Sequence, residues 1–195
     1  HNLPIRQPEK LKGPEFIDTF NSFNADIFVV VAFRMLSVVV YSIPKMGTFN
    51  VHASLLPNYR GAAPIHHAVI NGEKETGVTT FFLNQEIDKG DIIRSKKVAI
   101  GDTETTGELY QRLMIAGAEL AVETLNAIEK GTAQRRKQEE IGILKPAPKI
   151  FKEDTHIFWN DTAQNIFNKI RGLAPFPGSF SLIENHRGES FFIKW

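Results

Sequence analysis

The sequence predicts an α/β domain built on a largely parallel sheet with helices on its faces, followed by a smaller second unit. Three observations carry this reading. Strand-like and helix-like patterns alternate through about the first 130 residues, a stretch without periodicity but with two prolines follows, and two short strands around a turn come last. Gly13 and Pro14 open a helical pattern with Phe16, Ile17, Phe20 and Phe23 on one face. Asp26 then introduces Ile27 to Val31, a continuous apolar run of the kind buried on both sides of a parallel sheet. Phe49 to His52 and Gly77 to Leu83 are the next two strands. Between them Pro64 to Ile70 reads as a helix closed by Asn71 and Gly72. The longest helix carries the clearest boundaries: Thr105 with Glu108 forms a capping box, Leu109, Leu113, Ala116, Leu120 and Ile128 keep helical spacing, and Gly131 sits where a C-terminal cap belongs.

From 132 to 154 the periodicity stops, charges cluster at Arg135, Arg136 and Lys137, and Pro146 and Pro148 stand two apart, which predicts an extended linker. The expected division is therefore 1–131, linker 132–154, and a second unit 155–195. That unit begins with a helix from about Asp161 to Arg171 and continues as strands at Ser179 to Glu184 and Ser190 to Ile193, joined by a turn over Asn185 to Gly188.

Composition narrows the chemistry. With no cysteine, a disulfide framework and any thiolate nucleophile or thiolate metal site are ruled out. The run from Ile27 to Phe33 is far shorter than the ~20 apolar residues a membrane helix needs, so no membrane partner is expected. A net charge of +1 on 195 residues does not by itself ask for nucleic acid. The chain begins with His1 and stops at Trp195 directly after an apolar strand, so both ends read as cut.

The chemistry-bearing region is 50–64. Alternation along a strand sends Asn50 and His52 to one face at the strand's C-terminal end, where ligands bind in open α/β sheets. A carboxamide beside an imidazole suits acyl transfer: the amide NH2 can stabilise an oxyanion and the imidazole can move a proton near neutral pH. A carboxylate to balance the imidazole is then wanted. The candidates in a turn are Asp88 and, behind it, Asp91.

The text of this region is more specific than its spacing. The string from Asn50 to Pro57, then Tyr59 to Ile65, Asn71 to Gly77 and the Asp88-Lys89-Gly90-Asp91 turn, resembles the folate-dependent formyltransferases. Arg60 to Pro64 is similar to the methionyl-tRNA formyltransferases within them, and Lys145 to Ile150 and Ile170 to Pro177 resemble the linker and the start of the second domain of that branch. The resemblance implies a Rossmann-like, mostly parallel catalytic sheet flanked by helices and lacking its opening strands, then a linker and a partial, OB-like β-barrel. It implies formyl transfer from 10-formyltetrahydrofolate to the amino group of initiator methionyl-tRNA by direct amine attack, with no metal, in a cytoplasmic monomer.

Carried over by position, the resemblance makes Asn50, His52 and Asp88 catalytic. Asn50, with His52, would hold the oxyanion; His52 would act as general base; Asp88 would orient it and assist proton transfer to N10 of the folate. Ser54, Leu55, Leu56 and Pro57 would border the folate, with simple core packing as the other reading of the two leucines. Arg60, Lys149 and Arg171 are the tRNA candidates, although Arg60 could equally pair with Glu73 or Asp91. Residues 131–195 hold ten basic and seven acidic side chains, a net of +3 against −2 for the rest, only a mildly basic second unit. Two alternatives stay open: a formyltransferase acting on an amino-sugar nucleotide or another small amine, and a non-catalytic tRNA-binding relic.

Overall fold

A computed structural model describes residues 3–8, 13–32 and 36–195. Of the apolar run Ile27 to Phe33, Phe33 lies outside the described residues. Helix α1 (Pro14–Ser22) starts on Pro14, and its aromatic face works as its spacing predicts: Phe16 is buried, with Phe20 packed 4.4 Å from it and set edge-on to Phe28. Strands β1 (Phe28–Val31), β2 (Thr48–His52), β3 (Glu75–Phe82) and β4 (Ile92–Ala99) form one sheet in sequence order. A short helix α2 (Val38–Tyr41) lies between β1 and β2, and α3 (Pro64–Ile70) between β2 and β3.

The α/β class holds, but the sheet is mixed rather than largely parallel. Among the described strands only β1 and β2 run parallel; β2–β3 and β3–β4 are antiparallel. For β3 and β4 the reason is the connection; β2 and β3 are antiparallel although α3 lies between them. A parallel neighbour needs a crossover that carries the chain back to the same end of the sheet, and the short loop between Phe82 and Ile92 contains no helix to do this. β1 is likewise not buried on both sides: Val29 is 40% and Val31 60% exposed, because that face carries no covering layer among the described residues. Strand β4 is absent from the sequence reading. Its Arg94, Ser95, Lys96 and Lys97 hide the alternation, as charges on outer strands commonly do.

Helix α4 (Thr106–Glu129) lies across one face of the sheet and seals the core. Its capping box closes through Thr105 and Glu108, and Leu109, Leu113, Ala116 and Leu120 join Val78, Ile65, Val69 and Ile100 in the main apolar cluster. The helix stops where Gly131 turns left-handed at φ +66°. The opposite face of the sheet, carrying Asn50, His52, Thr79 and Phe81, is left for loops, and that face becomes the site.

Residues 132–154 do not hang free between units. They run back over the first one as a strap, bridging Arg136 to Ile92 and Ala147 to Gly61. Helix α5 (Ala163–Leu173) then packs on α3 and α4: the Thr106 hydroxyl donates to Gly172 O at 2.7 Å, and the Arg171 guanidinium donates to Gly101 O and Glu104 O. Strands β5 (Phe180–Glu184) and β6 (Ser190–Lys194) form a two-stranded hairpin with the predicted turn. Of the expected partial barrel, the described residues show this hairpin and a bridge from His156 to Phe180. No helix among the described residues is long and apolar enough to cross a membrane.

Candidate active site

The site is built at the end of β2 by three segments that the hydrogen bonds tie together: the loop 53–63, the turn 84–91 and the strap. Asn50 and His52 share a face, as their spacing requires, and lie opposite Phe81 and Thr79 of β3. Thr79 docks the loop onto the sheet. Its hydroxyl donates to Ser54 O at 2.7 Å and takes the Leu56 N–H at 3.3 Å.

His52 is 7% exposed, and its Nε2 lies 2.8 Å from Tyr59 O. A carbonyl only accepts, so Nε2 carries the proton, and in the neutral ring Nδ1 keeps the lone pair. Nδ1 faces Asp88 Oδ2 at 3.9 Å, which is close enough for charge but too long for a hydrogen bond. The Tyr59 carbonyl therefore holds the ring by hydrogen bond, and Asp88 stands beside its other nitrogen. Asn50 Oδ1 is buried and takes no hydrogen bond among the described residues. An unpaired buried acceptor costs about 1–3 kcal/mol.

Asp88 occupies the left-handed region at φ +53°, unusual for a residue other than glycine. Its carboxylate accepts the Gly61 N–H at 2.9 Å. Gly61 itself has φ +125°, and a Cβ there would come within 2.3 Å of Ala147 O, so the strap reaches the loop only because residue 61 lacks a side chain. Asp91, the second carboxylate candidate, contributes its backbone, accepting from Phe82 N.

Tyr59, whose carbonyl sets His52, is fixed in turn. Its N–H donates to Lys145 O, and its hydroxyl donates to Glu73, which also receives Lys145 Nζ. Burial pushes the Tyr59 hydroxyl up, and the hydrogen bond to Glu73 adds to it. For Glu73, burial pushes the carboxyl up, but the hydrogen bonds from Lys145 and Tyr59 and the lysine charge outweigh that and hold it below its ordinary value. No sequence pattern pointed to this trio, since Glu73 and Lys145 are 72 residues apart.

The folate candidates divide. Ser54 is fully buried with its hydroxyl on Asn58 O, and Leu56 packs with Phe81 and Ile92, so both are turned inward; Leu55 and Pro57 are half-buried. Arg60 pairs with neither Glu73 nor Asp91. Its guanidinium donates to Gln138 Oε1 and to Glu140, both on the strap. Arg171 is 5% exposed and spent on Asn168, Gly101 and Glu104, so it joins α5 to the loop that leads into α4 and does not meet a phosphate. Lys149 alone of the three is exposed, its Nζ 5.2 Å from the Phe151 ring centroid.

Residues 2–125 match the family profile described as formyl transferase, and residues 149–192 match the formyl transferase C-terminal domain. Among curated relatives, a methionyl-tRNA formyltransferase of Bacteroides fragilis is 49% identical over 197 residues, covering 100% of this chain and 61% of the relative. One of Azobacteroides pseudotrichonymphae is 50% identical over 198 residues, again 100% of this chain and 61% of the relative. The chain thus spans about three-fifths of the length of the curated relatives it matches. Among solved structures, a sugar N-formyltransferase of a Shewanella species superposes with a TM-score of 0.74 at 21% identity, covering 95% of this chain and 74% of that one. HypX of Aquifex aeolicus in complex with tetrahydrofolic acid gives 0.74 at 20% identity, covering 89% of this chain and 30% of that one. At such identities these two establish the fold alone.

Proposed function

The chain belongs to the formyl transferase family, and from that premise we propose that it carries the reaction centre of an enzyme that formylates the amino group of initiator methionyl-tRNA. The observation that carries the reading is the pairing of His52 Nδ1 with Asp88 at 3.9 Å, on the face of β2 that also carries Asn50 with its unfilled Oδ1. The choice of acceptor is supported by near-50% identity, along the whole chain, to relatives named for that activity.

The donor, 10-formyltetrahydrofolate, supplies an activated formyl group when bound. The residues fit the acceptor of such a group, since the orphaned Asn50 Oδ1 and the lone pair of His52 Nδ1 both lack a donor, which an amine N–H would provide. Asn50 Oδ1 accepts from the attacking amine and holds it in line, while the Asn50 NH2 faces the oxygen on which charge develops. His52 takes the amine proton at Nδ1 as the new N–C bond forms, and Asp88 balances the imidazolium. The proton then passes to the leaving nitrogen as its bond to the formyl carbon breaks. Leu55 and Pro57 border the folate. In the same reading 1–131 is the catalytic unit, 132–154 the connection and 155–195 the start of a tRNA-binding unit with Lys149 at its rim, in a cytoplasmic monomer.

The test is formyl transfer by the full-length protein from 10-formyltetrahydrofolate to charged initiator tRNA and, in parallel, to a nucleotide-linked amino sugar. Preference for the tRNA is expected. His52→Ala should lower kcat by about 100-fold or more with tRNA affinity nearly unchanged. Preference for the sugar amine, or unchanged kcat in His52→Ala, overturns the reading.

A further inference from the structure

Gln138 lies on the strap, 50 residues beyond Asp88, in a stretch whose sequence suggests only a linker. Its carboxamide is used at both ends. The Nε2 group donates to Asp88 O at 2.7 Å and to Gly90 O at 2.9 Å; the Oε1 accepts from Arg60 Nη2 at 2.6 Å and Nε at 3.1 Å. One side chain thus joins the turn that carries the carboxylate to the loop whose Gly61 N–H holds that carboxylate.

The turn needs such a clamp. Asp88 sits at φ +53°, a conformation that costs a residue with a side chain free energy and persists only where its surroundings over-determine it. Gly61 secures the carboxylate end and Gln138 the backbone end, on the two sides of the same Cα. Released from Gln138, the turn is free to relax to negative φ, which swings the carboxylate away from His52 Nδ1. We propose that Gln138 is a positioning residue for the reaction: it acts through Asp88, holding the carboxylate at the basic nitrogen, and Arg60 serves it by fixing which way its amide points rather than by binding substrate. This rests on the site reading above.

The experiment uses four variants of the full-length protein, with kcat, KM for both substrates and thermal midpoint measured for each. Gln138→Glu keeps the acceptor for Arg60 and adds an ion pair, but it sets an oxygen against Asp88 O and Gly90 O. Gln138→Met keeps the length and removes both functions. Both should lose kcat by about 10- to 100-fold with KM within about twofold, because a displacement of an ångström at reacting groups costs on that order. Measured well below each variant's melting transition, the loss of kcat should persist in both. In Asp88→Ala, adding Gln138→Met should change kcat no further, since the residue it positions is gone. Parent-like kcat in Gln138→Glu overturns the positioning role, as does a loss that appears in KM or follows the melting temperature. Parent-like kcat in Asp88→Ala alone instead overturns the site assignment, so the two failures are told apart.

Discussion

Replacing Arg171 by alanine separates a structural role from a nucleic-acid contact. The guanidinium is almost wholly buried and donates to Asn168 Oδ1 at 2.9 Å, Gly101 O at 3.2 Å and Glu104 O at 2.9 Å. Hydrogen bonds from a charged donor contribute about 1.5–3 kcal/mol each when the acceptor cannot turn to water. Gly101 is exposed and Glu104 partly so, and both carbonyls rehydrate once the arginine is gone; Asn168, at 5% exposure, does not, and keeps only the longer bond from Gln164 Nε2 at 3.2 Å. One full term, two small ones and the lost packing of the aliphatic stem give about 3 kcal/mol. At about 2–4 °C per kcal/mol for a chain of this size, the thermal midpoint falls by about 6–12 °C. Circular dichroism melts and urea titrations measure both quantities. Below the transition, affinity for tRNA should stay within about twofold. A stability loss under about 1 kcal/mol together with a tenfold drop in tRNA affinity would refute the placement of this arginine between α5 and the loop before α4.

Two further outcomes follow from the same geometry. Gly61→Ala drives a Cβ into Ala147 O and imposes a positive φ on a residue with a side chain. It should cost about 2–4 kcal/mol and lift the strap, seen as faster protease cleavage between residues 133 and 148, with turnover falling as Asp88 loses its backbone donor; unchanged cleavage would show that strap and loop do not touch. The Glu73 carboxyl is held below its ordinary value of 4.5, so it binds fewer protons folded than unfolded in acid, and its contribution is complete above that value and fades as pH falls through the lower folded one. Urea midpoints measured from pH 7 to pH 3 should therefore decline less steeply in acid for Glu73→Gln than for the parent, whereas parallel curves would deny the Lys145–Glu73–Tyr59 link.

The parts of the site legible in sequence are those that local geometry dictates. Asn50 and His52 share a face because strands alternate, whatever surrounds them. The capping box at Thr105 and the left-handed Gly131 bound α4 through contacts within a turn of each other. The hairpin after Gly178 and the helix before it follow from the same short-range chemistry. Strand β4 escaped because its exposed face is charged, and the predicted parallel order failed because direction depends on where a connection travels.

What the sequence determined, then, was the class of elements, the two residues on β2 and the identity of the carboxylate turn, all properties of neighbours in the chain. Which nitrogen of His52 is basic, what orients it, and what holds Asp88 at its unusual φ were decided by the tertiary structure. The deciding groups are a backbone carbonyl at Tyr59, a backbone N–H at Gly61 and the common polar side chains Gln138, Glu73 and Lys145. All but Gln138 stand in stretches that carry the family resemblance, but no spacing along the chain predicts these contacts. Such groups act by distance and direction, and those exist only once a strap from beyond residue 131 folds back over the loop it serves.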